Sequence, residues 1–357
     1  MYSNVLKFCL KMLTTSKQIV NLFSIFFMAR LMFRSFPLFY PSTISSILQT
    51  FLSDLFTPNG LPILVKLLGT ILGIYFRFCG LSPRTFDLDD RTTMHFWTAD
   101  QRRPDKPDLV MVHGYGGDSI WQFLGQVGPL SKAFNLHLPD LLFFGKSYTK
   151  WPDWSEVFQA KCVVKGLRRI GVDRYALYGI SYGGFVAYQM AAMCPQEVEK
   201  VVIVSSGIVW TEDQKRELLI RNGRNALEIL LPETPNDLRL LVSLSVYKSD
   251  PFKWVPDFVL TKFVQAMMQY RKEKLELIEH LLNKSAYYST VPIIPQPTLL
   301  IWGDKDNVFP LYLGYQLHRH LGGNSKLEIL KDTGHAANLD SPDTLNALIK
   351  SFVLNGS

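Results

Sequence analysis

The chain has 357 residues, 47% of them hydrophobic and 19% charged, which is enough apolar material for a packed core and excludes global disorder. The net charge of +7 is unevenly placed: Lys7, Lys11, Lys17, Arg30 and Arg34 fall in residues 1–53, which hold no acid, and the rest is nearly neutral. No basic patch remains to recruit nucleic acid, which is therefore not expected as a partner.

Residues 1–80 stand apart in composition. Gln18 to Ala29 is uncharged and largely apolar, but a spanning helix needs ~20 such residues, and Arg30 and Arg34 interrupt it. Leu67 to Phe76 is a second apolar run, bounded by Lys66 and Arg77. Apolar runs flanked by Lys and Arg suit a helix lying in the headgroup region, so 1–80 is expected to be an interfacial anchor. An organelle transit segment and additional core helices stay open as alternatives. The four cysteines, Cys9, Cys79, Cys162 and Cys194, have neither paired nor metal-type spacing. They are expected as free thiols in a reducing compartment, which makes the location intracellular, with membrane association through 1–80.

From residue 81 a strand rhythm begins. Strands are expected near Thr85 and over Thr93–Trp97, followed by a proline-marked turn, Arg102 to Pro107. Leu109–Val112 is a buried strand that enters a glycine loop, His113-Gly114-Tyr115-Gly116-Gly117. Asn135 to Asp140 is the next strand, leading into a bulky loop with Phe143, Phe144 and Gly145. Ser155 to Ile170 reads as an amphipathic helix with Ser155 as cap and Gly171 as stop. Arg174–Tyr178 is a strand, Phe185–Met193 a helix ended by Pro195, and Lys200–Ser205 another strand. Between Gly207 and Thr298 the rhythm stops, and helical patterns broken by Pro232, Pro235, Pro251 and Pro256 take over. Strands return at Thr298–Gly303 and Lys326–Leu330, each followed by a polar loop.

The chemistry is concentrated where strands end. Gly179-Ile180-Ser181-Tyr182-Gly183 joins a strand to a helix, the setting of a nucleophile elbow, in which glycines two positions either side leave room for a sharp turn. A serine needs a base, and the base a third group to hold it. Asp304 and Asp306 follow one later strand and His335 follows the last, in the order Ser, Asp, His. His318 and His320 are two apart on an expected helix and point away from each other, so they form no metal pair.

With these motifs in place, residues from about Thr85 to about Leu354 resemble the α/β-hydrolase superfamily. Trp302-Gly303 with Asp306, and Gly334-His335-Ala336-Ala337-Asn338, resemble its monoacylglycerol-lipase, carboxylesterase and C–C-bond-hydrolase branch. The resemblance implies a mostly parallel sheet flanked by helices over 81–357, with a helical cap at about 208–291, after the hydrophobic extension 1–80. It implies Ser181 as nucleophile, His335 as base and Asp306 as its partner, with Asp304 capping the turn. It also implies an oxyanion hole made by the Tyr115 and Tyr182 amides. No metal or organic cofactor is implied. The apolar cap residues suggest a small apolar or lipid-like ester as substrate. A C–C hydrolase or lyase with the same triad, and a small-ligand receptor on a hydrolase scaffold, remain as alternatives.

Overall fold

The computed structural model describes residues 61–219, 226–248, 250, 252–283 and 291–355. Among them, nine strands form one sheet: β1 Leu81–Asp87, β2 Thr92–Ala99, β3 Asp108–Val112, β4 Asn135–Pro139, β5 Tyr148–Thr149, β6 Tyr175–Ile180, β7 Val198–Val204, β8 Thr298–Gly303 and β9 Ser325–Leu330. Their spatial order is β1-β2-β4-β3-β6-β7-β8-β9, with β5 pairing off β2. β1 and β2 form an antiparallel hairpin, with Leu81 opposite Ala99 and Asp87 opposite Thr93. From β4 to β9 every neighbouring pair is parallel. Parallel strands are covered on both faces and read as continuous apolar runs. Leu109 to Val112 and Val201 to Val204 do so, and all are buried.

The helices, in chain order, are α1 Leu61–Phe78, α2 Ser119–Gln122, α3 Leu124–Ser131, α4 Glu156–Arg169, α5 Tyr182–Met193, α6 Glu212–Leu219, α7 Ala226–Leu230, α8 Pro235–Ser245, α9 Asp257–Met267, α10 Arg271–Asn283, α11 Leu311–Leu321, α12 Ala337–Asp340 and α13 Pro342–Leu354. Alternation along β6 sorts them onto two faces. Tyr175 and Leu177 join a core with Val163 and Leu167 of α4, Val186 and Met190 of α5, and Leu313 and Leu317 of α11. Ala176, Tyr178 and Ile180 join the opposite core with Val127 of α3 and Leu345 and Ile349 of α13. Local signals set the ends of α4: the Ser155 hydroxyl accepts the Phe158 N–H at 3.0 Å, and Gly171 takes φ +76° just beyond. α6 to α10 lie between β7 and β8 as the helical cap, within the span expected for it.

The packing bears on where the folded domain begins. A boundary at residue 80 separates α1 from the sheet, yet Leu72, Tyr75 and Phe76 of α1 are buried. Tyr75 and Phe76 belong to the same core as α3 and α13, and Phe76 meets the Trp97 ring edge-on at 5.3 Å. α1 also packs against α2 and the cap helix α9. Hydrophobicity alone marks a segment as apolar without saying whether lipid or protein covers it, and at Leu72, Tyr75 and Phe76 it is protein. Residues 1–60, including the Gln18–Ala29 run, lie outside the described residues. No described helix is long and apolar enough to cross a membrane.

This packing predicts an asymmetry between neighbouring phenylalanines. Phe76 is wholly buried and Phe78 is 71% exposed. In the full chain, Phe76→Ala is expected to lose about 3–5 kcal/mol of unfolding free energy, and Phe78→Ala no more than about 0.5 kcal/mol. Equal denaturation midpoints for the two variants would place α1 outside the core.

Candidate active site

β6 ends at Ile180 and α5 begins at Tyr182, so the whole reversal falls on Ser181, which takes φ +55° and ψ −123°. Side chains other than glycine rarely occupy that region, and the surrounding structure must hold it. Two backbone bonds do so: the Ser181 N–H donates to Val204 O, and the Gly184 N–H donates back to Ser181 O, both at 2.9 Å. A β-carbon at Gly183 would lie 2.2 Å from Val112 O. The elbow therefore presses directly on the end of β3, where the His113–Gly117 loop starts.

His335 stands over this serine. Its Nε2 is 2.9 Å from Ser181 Oγ, and its Nδ1 is 3.0 Å from Asp306 Oδ2. Asp306 is buried, and its other oxygen accepts the Val308 and Phe309 N–H groups at 2.8 Å each. An ionised carboxylate only accepts, so Nδ1 carries the proton and Nε2 is left to accept from the serine hydroxyl. The structure thus brings Ser181, Asp306 and His335 into one hydrogen-bonded series. Asp304 is not in it: Asp304 accepts the Thr333 N–H at 3.2 Å and faces Lys305 at 3.3 Å.

The loops carrying Asp306 and His335 are held by Trp302 and Gly303, which the sequence reading used only as a motif, and by Asp340, which it did not single out. Trp302 Nε1 donates to Phe309 O at 2.7 Å, tying β8 to the loop beyond Asp306. A β-carbon on Gly303 would lie 2.2 Å from Thr333 O, so glycine lets the two loops touch. Asp340 accepts N–H groups from Gly334 (2.8 Å), Tyr247 (2.8 Å) and Lys248 (2.9 Å), joining the His335 loop to the end of the cap helix α8. The Ala336 N–H donates to Ser245 O at 2.7 Å in the same place. Asp340 sits five residues past His335 in a mixed stretch between Asn338 and Ser341, so nothing local announced a buried carboxylate, which needs donors.

The glycine loop lies on the other side of Ser181. Tyr115 and Tyr182 both line the cavity above the serine, with their rings edge-on at 6.1 Å. The Tyr115 hydroxyl donates to Lys274 O of α10 at 2.7 Å, so the loop is fastened to the cap through a side chain. His113 shapes the loop through hydrogen bonds. The Leu141 N–H donates to its Nε2 at 2.9 Å, which puts the proton on Nδ1, 2.7 Å from Gly114 O. Burial lowers its pKa and keeps the ring neutral. Below lies Asp140, which accepts from Ser119 and contacts His95 Nδ1 at 2.8 Å. Burial, reinforced by Asp140, pushes the Asp118 carboxyl up to about 7. Burial brings Lys274 down to about 8, with Asp118 acting in the opposite direction. His137 is also structural, bonded to Asp108 and Thr98.

The cavity over Ser181 has an empty volume of about 830 Å³ including its open mouth. Phe185, Trp210, Phe309 and cap residues such as Leu230, Leu241 and Ile278 make most of its wall, with Lys215 and Asn307 among the few polar members. Trp210 packs on Phe185 and Phe309 at 5.8 and 5.4 Å.

A family model described as alpha/beta hydrolase fold matches residues 107–342. A monoacylglycerol lipase of Homo sapiens is 28% identical over 263 residues, covering 70% of this chain and 75% of that protein. A 2-hydroxy-6-oxononadienedioate/2-hydroxy-6-oxononatrienedioate hydrolase of a Pseudomonas species is 29% identical over 258 residues, covering 69% and 87%. Among solved structures, a bacterial membrane phospholipase A superposes with a TM-score of 0.70 at 22% identity, covering 86% of this chain and 96% of that one, a likeness of fold. With the sheet order, the capped cavity and the family match in agreement, the chain belongs to the α/β-hydrolase fold family and is a hydrolase of that class.

Proposed function

We propose that the protein is a serine hydrolase that cleaves a carboxylic ester with a substantial apolar portion, through an acyl-enzyme intermediate. The observation that carries this reading is the Ser181–His335–Asp306 hydrogen-bond series opening onto a largely apolar cavity. In the first step, Ser181 Oγ attacks the ester carbonyl carbon while His335 Nε2 takes the hydroxyl proton. Asp306 keeps the imidazole in the right tautomer and stabilises the cation that forms. The carbonyl oxygen becomes an oxyanion, received by the Tyr115 and Tyr182 amides, with the positive end of α5 behind Tyr182. His335 returns the proton to the departing alcohol. Water then repeats the sequence on the acyl-serine, releasing the acid. Cleavage of a C–C bond next to a ketone would use the same residues. The monoacylglycerol lipase and phospholipase among the similar proteins, together with the apolar wall, support a lipid-like ester.

The nucleophile and the two aspartates give the test. Ser181→Ala is expected to abolish fluorophosphonate labelling and cut turnover by up to ~10⁶-fold, because such residues act as a unit. Asp306→Asn is expected to cost roughly 10⁴-fold, through the wrong imidazole tautomer. Asp304→Asn is expected to change stability and leave the hydrogen bonds of His335 intact. Normal turnover in the serine variant would overturn the mechanism, and a crippled Asp304→Asn enzyme of unchanged stability would reverse the two aspartates.

We also propose that residues 1–60 hold the enzyme at a lipid surface, with α1 belonging to the folded domain. The five basic residues and no acid of residues 1–53 suit anionic headgroups. Full-length protein is expected to sediment with anionic liposomes, and a chain starting at Leu61 to lose most of that binding while hydrolysing a soluble short-chain ester. Equal sedimentation of both would move the contact to the folded domain.

A further inference from the structure

The backbone around Tyr115 is bracketed by two anchors. On one side the Gly114 N–H donates to Gln122 Oε1 at 2.6 Å, and on the other Asp118 accepts the Trp121 N–H at 3.2 Å. Between Tyr115 and Asp118 lie Gly116 and Gly117, whose backbone is permissive for want of a β-carbon. An oxyanion donor has its full effect only when it already points at the place where charge develops. Orientation of the Tyr115 amide therefore falls largely to the Tyr115 side chain, which is joined to that backbone through two torsions.

That side chain is fixed at both ends. Its ring is buried and meets Phe144 and Tyr182 edge-on at 5.4 and 6.1 Å. Its hydroxyl donates to Lys274 O of α10 at 2.7 Å, and burial raises its pKa, so it keeps the proton it donates. The acceptor is itself anchored. Lys274 is buried, its ammonium donates to Met267 O at the end of α9 at 2.6 Å, and it lies 4.6 Å over the Phe144 ring. Phe144 packs on His113 at 5.2 Å as well as on Tyr115, which closes a circuit from the glycine loop through two cap helices and back. A phenylalanine in place of Tyr115 would keep the ring contacts and spare the cost of burying a hydroxyl. The carbonyl does not depend on the bond either, because helix geometry gives it a donor four residues on. What the hydroxyl adds is a fixed distance between the cap and the glycine loop.

We propose that the Tyr115 hydroxyl is a positioning group: by bonding α10 it aims the Tyr115 amide at the oxyanion, so that the hole is set only when the cap is seated. The proposal rests on the ester-hydrolase reading for the role of that amide. Its test uses a probe that needs the oxyanion but no turnover. Trifluoromethyl hexyl ketone adds Ser181 Oγ to its carbonyl carbon, the C=O π pair moves to oxygen and the serine proton to His335, which gives a hemiketal oxyanion. In the full-length enzyme, Tyr115→Phe is expected to weaken hemiketal formation, read by fluorine NMR, by roughly tenfold, the upper range for one neutral hydrogen bond. The kcat/KM for 4-nitrophenyl hexanoate is expected to fall by the same factor, short of the ~10²–10³ lost with a whole oxyanion donor. Calorimetric affinity of Ser181→Ala for that ester is expected to stay the same when Tyr115→Phe is added. Tyr188→Phe is the control, because Tyr188 also donates its hydroxyl to a backbone carbonyl, Pro292 O at 2.6 Å. It is expected to leave hemiketal formation and kcat/KM at their parent values. Unchanged hemiketal affinity in Tyr115→Phe would overturn the proposal. So would an equal loss in Tyr188→Phe, which marks general loosening, or an equal loss of ester affinity, which marks lost binding rather than lost aim. The two ideas fail separately. A hemiketal that depends on Tyr115 in a protein that turns over no ester would sustain the positioning role and sink the ester hydrolase. Ester turnover untouched by Tyr115→Phe would do the reverse.

Discussion

The backbone of Ser181 is the constraint on which the site depends. A serine held at φ +55° is unfavourable in isolation and persists only because its neighbours over-determine it. Gly183 allows α5 to reach the carbonyls of Val112 and His113, and β7 supplies the acceptor for the Ser181 N–H. The same contact places the glycine loop beside Ser181, since that loop begins at His113. One strained residue thus sets the relation between the serine hydroxyl, the loop and the helix terminus.

The rest of the site is assembled by loops leaving the carboxyl ends of parallel strands, where such sheets open a crevice. The Asp306 and His335 loops follow β8 and β9 and touch through Gly303 and Thr333. Both are also tied to other parts of the fold: Trp302 secures the Asp306 loop, and Asp340 fastens the His335 loop to the cap. The cap is bonded on the other side as well, through Tyr115 and Lys274. Cap and catalytic loops therefore share hydrogen bonds on both sides of the cavity, so a shift of the cap would be felt at His335 and at the glycine loop together.

Motif spacing was informative where function depends on short-range geometry. The glycines of the elbow, the serine cap of α4 and the glycine beyond its end are local requirements: a β-carbon at Gly179 or Gly183 would meet backbone, the Ser155 hydroxyl caps α4, and Gly171 takes a positive φ. The choice of Asp306 over Asp304 came from the resemblance carried by Trp302-Gly303, and in the structure one side chain turns toward His335 and the other toward Thr333. The extent of the folded domain was not legible in the same way. An apolar run such as Leu67–Phe76 has the same composition whether it packs on protein or on lipid.

By itself, then, the sequence determined the order of strands and helices, the turn at the nucleophile, and which serine, aspartate and histidine follow strand ends. These follow from steric rules and hydrophobic period acting over a few residues. Tertiary structure alone decided that α1 completes a core, that Asp340 binds the cap to the His335 loop, and that Lys215 turns inward while Glu212 stays in water. Each depends on contacts between segments far apart in the chain, and the burial of a side chain depends on what the rest of the molecule places around it.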